Sequence, residues 1–187
     1  MTATTEIELD RLTGDYTIDP AHTRIGFQAR HAMVTKVRGQ FLDFEGGFHL
    51  DAADPQASSA YLSIQAKSLT TGNEQRDEHL RSNDFFAMDQ YPEIKFVSTQ
   101  VEKVDAESLR LTGDLTIRGV TRPVTVDFEY LGATIDPWNN LRIGFEGRTT
   151  INRKDWGVNW NAALEAGGVL VSEKVTIELD ISATKNE

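Results

Sequence analysis

The feature that most constrains this chain is a period of two. In Val175, Ile177, Leu179 and Ile181 every second position is apolar, and Thr176, Glu178, Asp180 and Ser182 stand between them. Successive side chains of an extended strand point to opposite faces, so such a run has one apolar and one polar surface. The same alternation passes through Ile25, Phe27, Ala29, His31 and Met33, then through Leu62, Ile64 and Ala66. It returns in Leu109, Leu111, Leu115 and Ile117, where Gly113 takes a place on the inner row. Val124, Val126, Phe128 and Tyr130 follow, then Leu141, Ile143, Phe145 and Ile151. Ile94 and Phe96 open one more run. A less regular strand or bulged pair is expected between Val37 and Leu50, with a bend at Glu45, Gly46 and Gly47. "RGVTRP" and "DPWNN" read as hairpin connections, and the "IDP" at Ile18 recurs at Ile135 as a shared turn signal.

Roughly eight half-apolar strands predict an all-β fold. Parallel sheets are disfavoured, because their strands are usually apolar on both faces and need helical crossovers. Two architectures then remain open: a sandwich filled by its own side chains, or a closed antiparallel barrel that can enclose a small ligand. A chain of 187 residues, 39% hydrophobic and 26% charged, can bury a substantial core as one globular domain. Its net charge of −10 argues against nucleic-acid binding and against attraction to anionic membranes. With no cysteine there is no disulfide and no thiolate chemistry. No basic, apolar leader and no apolar run of transmembrane length is present, so the expectation is a cytoplasmic protein without stable membrane insertion.

One stretch breaks the alternation: "TTGNEQRDEHLRSNDFF", Thr70 to Phe86. Thr71 and Glu74 have the spacing of a helix capping box. Asp77 and Arg81 lie one helical turn apart and could pair. Leu80 is the only large apolar residue before Phe85, so a short helix here is expected to lie across an end or side of the sheet. A second irregular region, Asn152 to Gly168, carries two tryptophans and is expected as a lid or turn.

The chemistry offered is sparse. No nucleophile elbow, phosphate loop or dinucleotide turn occurs. Asp77 and His79 are two apart and diverge on a helix, so an acid–base pair would need a partner from elsewhere. The four histidines form no metal-binding spacing, and His49 with Asp51 reads as a surface pair. His31 shares a row with Ala29 and Met33, which admits an inward polar anchor or an axial haem ligand. Arg76, Asp77 and His79 beside Leu80, Phe85 and Phe86 read either as a structural network, with Asp77 paired to an arginine, or as contacts for a ligand's polar head. Arg148 and Arg153 are further cations that could join them. Phe27, Phe41, Phe96, Leu111, Leu115 and Phe145 could fill a core or line a tube; alternation cannot decide.

"YTIDPAHTRIGFQARHAMVTKVRGQF", "RDEHLRSNDFFAMDQYPEIKF", "LTGDLTIRGVTRPV" and "INRKDWG" together resemble the YceI-like family of polyisoprenoid-binding proteins, in the family's order and from about Tyr16 to Ile181. The resemblance implies a lipocalin-like antiparallel eight-stranded barrel, residues 1–187 as a single domain with 1–15 as an N-terminal extension. It implies an elongated apolar pore for an isoprenoid, quinone or similar amphiphilic lipid, with no other cofactor, and it admits a homodimer. The ligand-binding residues expected on this basis are Phe27, His31, Phe41, Phe85, Phe86, Phe96, Leu111, Leu115, Phe145 and Trp156, with Arg76, Asp77 and His79 as a head-group or structural network. Non-catalytic lipid carriage or sequestration leads. The alternatives are an enzyme acting on an isoprenoid or quinone head through a histidine base, and a haem-binding barrel.

Overall fold

The computed structural model describes residues 9–161, 164 and 170–187. Its strands are β1 (Gly14–Ile18), β2 (Arg24–His31), β3 (Thr35–Phe41), β4 (Phe44–Leu50), β5 (Ser59–Gln65), β6 (Leu69–Thr70), β7 (Glu93–Lys103), β8 (Ser108–Ile117), β9 (Val120–Ile135), β10 (Leu141–Asn152) and β11 (Lys174–Lys185). Two short helices accompany them, α1 (Leu9–Leu12) and α2 (Glu74–Arg81). Neighbours pair antiparallel in the order β1-β4-β5-β7-β8-β9-β10-β11, and β11 pairs back onto β1 through Ile18 and Ala183. That last pairing closes an eight-stranded barrel and removes the sandwich alternative.

β2, β3 and β6 extend this ring along one side. β1 and β2 behave as one long strand interrupted at residues 19–23, β3 and β4 as one interrupted at 42–43, and β5 and β6 as one interrupted at 66–68. Each interruption is bridged by hydrogen bonds. At the first, Pro20 has no N–H to give a ladder, and Asp19 caps a 3-10 turn by accepting from the Ala21 N–H. The Thr23 hydroxyl then donates to the Ser182 carbonyl and accepts from the Ser182 N–H, standing in for a missing rung. At the others, the Leu42 N–H donates to the Ser68 carbonyl and the Gln65 N–H to the Asp43 carbonyl. The bend expected at Glu45, Gly46 and Gly47 therefore falls at Leu42–Asp43 instead. The two glycines stay within β4 because a Cβ on either would sit 2.7 Å from a neighbouring carbonyl oxygen, of Tyr61 or of Tyr16.

The hairpins follow the turn signals. Arg118 and Gly119, with φ of 52° and 73°, turn the chain from β8 to β9. Asp136 accepts from the N–H groups of Trp138 and Asn140 and shapes the β9–β10 turn, as Asp19 shapes its own. α2 forms where a helix was expected, but its N-cap is Asn73, whose side chain accepts from the Arg76 N–H. Thr71 is drawn away from a capping role by Asp77. β6 and β7 do not pair with each other, and α2 packs beside β6, with Leu80, Phe85 and Phe86 turned to the interior.

Two apolar clusters fill the interior. One gathers Leu12, Tyr16, Leu50, Leu141, Ile143, Phe145 and Ala183 at the end of the barrel where α1 packs, so part of the stretch read as an extension is buried in the fold. The other surrounds the remaining length, with Ile25, Phe41, Phe85, Leu115, Val126 and Trp156 among its members. Among the described residues, no helix is long and apolar enough to cross a membrane.

Candidate functional site

The second cluster does not close up. It surrounds a cavity of about 290 Å³, close to the lower bound of ligand pockets at ~300 Å³. Its wall takes inward residues from nearly every strand: Phe27, Phe41, Leu62, Phe96, Leu111, Leu115, Val126 and Phe145 among them, with Phe85, Phe86 and Trp156 from the connecting segments.

The lumen survives because of what lies opposite the aromatic rings. Phe27 pairs across the ladder with Gly39, and a Cβ on Gly39 would fall 2.3 Å from the Phe27 ring. Phe128 pairs likewise with Gly147, where the distance would be 2.5 Å. Each ring lies down on the bare backbone of the neighbouring strand instead of projecting across the tube. Strand glycines weaken a ladder, and here the ring's contact with the wall offsets that loss.

One charge reaches this apolar wall. Arg153 is 6% exposed and sits in the 3-10 turn Arg153–Trp156 that follows β10. Its Nε donates to the Ser172 carbonyl at 2.9 Å, Nη1 to the Val158 carbonyl at 2.7 Å and Nη2 to the Val171 carbonyl at 3.3 Å. The guanidinium also stands 5.9 Å from the Phe85 ring centre. Burial pulls its pKa down, although an arginine keeps its proton throughout the physiological range. Among the described residues its direct partners are carbonyls, and Glu173 acts on it electrostatically, so a partly offset positive charge stands at that end of the cavity. Trp156 beside it is anchored by its indole N–H, which donates to the Leu115 carbonyl at 2.8 Å.

Nine of the ten expected ligand-binding residues line this cavity: Phe27, Phe41, Phe85, Phe86, Phe96, Leu111, Leu115, Phe145 and Trp156. His31 does not. It is exposed at the end of β2, where the chain turns at Ala32, so the inward anchor and axial ligand expected there are corrected. Arg76, Asp77 and His79 form no part of the wall either. Asp77 is 5% exposed, yet it pairs with no arginine. It accepts from the Thr71 N–H at 2.9 Å and from the Thr71 hydroxyl. Arg76 donates to that same hydroxyl oxygen at 2.7 Å and to the Thr71 carbonyl at 3.0 Å. Thr71 thus bridges the acid and the base, and the group fastens α2 to the chain leaving β6. Arg81 turns to the Leu69 carbonyl at 2.8 Å instead of to Asp77. His79 pairs with Asp84 at 2.9 Å and packs edge-on against Phe85 and Trp160. His49 pairs with Asp15 at 2.8 Å, not with Asp51. Arg148 lies 3.8 Å from Glu178, away from the α2 group.

Sequence reasoning named Arg153 only as a cation that could join the α2 group, not as part of the cavity wall. Its only signal was a cation between Ile151 and Trp156, in a segment whose turn carries it inward.

The relatives agree with this architecture. A family profile described as "YceI-like domain" matches residues 16–183. A UPF0312 protein of Staphylococcus aureus is 39% identical over 165 residues, covering 88% of this chain and 94% of the relative. Burkholderia cenocepacia BcnA superposes with a TM-score of 0.79 at 23% identity, covering 89% of this chain and 99% of that one. A polyisoprenoid binding domain from Saccharophagus degradans, implicated in plant cell wall breakdown, superposes with a TM-score of 0.68 at 15% identity, covering 91% and 98%.

Proposed function

Because this chain belongs to the YceI-like family, we propose that it holds a polyisoprenoid, a prenylated quinone or a similar amphiphilic lipid in the barrel cavity and carries or sequesters it without chemistry. The observation that carries this reading is a lumen kept open by ring-on-glycine pairs and walled by apolar side chains. A prenyl chain gains on the order of 25 cal/mol for each Å² of apolar surface withdrawn from water. The eight-stranded part of the barrel closes on itself and so has no edge strand. Arg153, at one end of the lumen, favours a head group with electronegative oxygens over a cationic one. His31 and His79, the two candidate bases read from the sequence, stand outside the wall, and His49, which borders it, is paired with Asp15.

Organic extraction of the purified protein followed by mass spectrometry tests the reading. A stoichiometric prenyl lipid is expected, and added long-chain quinone should quench the fluorescence of Trp156. If no lipid is extracted and titrated quinones neither bind nor quench, the cavity is not a prenyl-lipid site.

A further inference from the structure

We propose that the β2–β3 hairpin docks the barrel on an anionic lipid surface, with Met33 and Val34 entering the interface and a ring of cations meeting the phosphates. Met33 is 60% exposed and Val34 76% exposed, side by side at the hairpin tip. The tip also breaks its local rule. Ala32 and Met33 hold φ of 51° and 63°, a tight turn that favours Asn-Gly. An exposed methionine in a left-handed conformation costs stability, and an exposed apolar side chain returns none of it within the fold.

Along β2 and β3 the charge has one sign. No aspartate or glutamate occurs between Arg24 and Leu42, in a chain whose net charge is −10. Arg30 and Lys36 face each other across the ladder, and Arg38 stands opposite Gln28. Like charges placed directly opposite are destabilising in a sheet. Lys174 opens the adjoining strand, two residues from Thr176, which pairs with Gln28. Among the described residues none of these four cations has a carboxylate within ion-pair distance, whereas the nearby Glu173 is taken by Lys154 at 2.8 Å. The chain's overall acidity predicts repulsion from an anionic membrane, but charges farther off than a Debye length of ~8 Å are largely screened at physiological salt. The tip therefore meets the surface as a basic, apolar-pointed element. That combination suits a phospholipid interface, where the cations meet the phosphates and Met33 and Val34 enter the apolar layer beneath them.

The hairpin's position gives docking a purpose. His31 bridges to Val171, and both Ala29 and Val171 line the cavity, so the tip stands on the rim of the lumen.

The test is co-sedimentation of the intact protein with vesicles of equal parts phosphatidylcholine and phosphatidylglycerol, against vesicles of phosphatidylcholine alone. Binding is expected to the anionic vesicles, to fall in high salt, and to weaken at least about twenty-five-fold in the K36E/R38E variant, at about fivefold for each cation lost. Met33→Gly supplies a residue that the turn prefers, so it should keep or raise the melting temperature while weakening vesicle binding. A purely structural role for Met33 predicts no loss of binding. Absence of sedimentation with anionic vesicles at low salt overturns the proposal. So does binding that needs the cations but not Met33, which would mark an acidic polymer or protein as the partner. Sedimentation reads the hairpin and not the cavity, so its outcome is separable from that of lipid extraction.

Discussion

The two halves of the barrel interior use the same residues to opposite ends. Near α1, aromatic meets aromatic. Tyr16 stacks on Phe48 with centroids 4.9 Å apart, Phe48 meets Phe145 edge-on at 5.8 Å, and Tyr130 leans on Phe145 at 5.8 Å. The Tyr16 hydroxyl donates to the Leu12 carbonyl, so even the polar tip is satisfied and the tube is plugged. Farther along, Phe27 and Phe128 each lie on a glycine across the ladder, and the tube stays hollow even where Phe27 also meets Phe41 at 5.6 Å. The choice between a packed core and a binding site is made by the residue across the ladder, not by the count of phenylalanines.

The sharpest way to break this contrast is to empty the plug. Tyr16→Ala should cost about 3–5 kcal/mol, as large-to-small changes do in a filled core, read from denaturant unfolding. The next effect is alkaline. Burial, then the neighbouring Tyr130, push the Tyr16 hydroxyl up to about 12. A folded value raised above the unfolded one near 10 gives stability that is full below pH ~10 and is lost as pH rises toward 12. About 3 kcal/mol should disappear in that window, at roughly 1.36 kcal/mol per unit, and Tyr16→Phe should flatten that part of the pH profile. In the hollow half, Gly39→Val should cost about 1–3 kcal/mol by driving the Phe27 ring off the wall, and bound lipid should fall with it. Leu111→Ala should cost the least, about 1–2 kcal/mol, because the side chain already borders empty space, and its effect should grow when the protein is lipid-loaded. Equal costs for Tyr16→Ala and Leu111→Ala would mean that the two halves are packed alike.

The strands themselves were legible, because a period of two leaves few alternatives over runs as long as Val175 to Ile181. Closure was not, since alternating rows serve a sandwich and a barrel equally; the family resemblance implied it and the β1–β11 pairing shows it. His31 was misplaced for a physical reason. Counting by twos carried it inward with Ala29, but it is the last residue of β2, at the tube's rim, and is exposed there. The capping of α2 was misread because Thr71 and Asn73 both suit the role, and only a buried Asp77 needing donors decides between them. Phe27, Phe41, Phe96, Leu111, Leu115 and Phe145 were legible as one inward set because strand faces are periodic. Arg153 was not, because it sits on a short turn whose direction no periodicity encodes.

The pairing of β11 has a consequence for the order in which the molecule can be built. This strand is hydrogen-bonded to β10, to β1 and to β2, and the bond from Thr23 to Ser182 spans 159 positions of sequence. Until β11 arrives, β10 on one side and β1 with β2 on the other are open edges, and the growing chain has no inside. Contacts so distant in sequence are slow to form, because the chain between them must be ordered first. A nascent chain lacking Lys174–Lys185 exposes two sticky edges and the surfaces that will become its lumen. The strand that completes the container is also the one whose delay leaves the chain most open to aggregation.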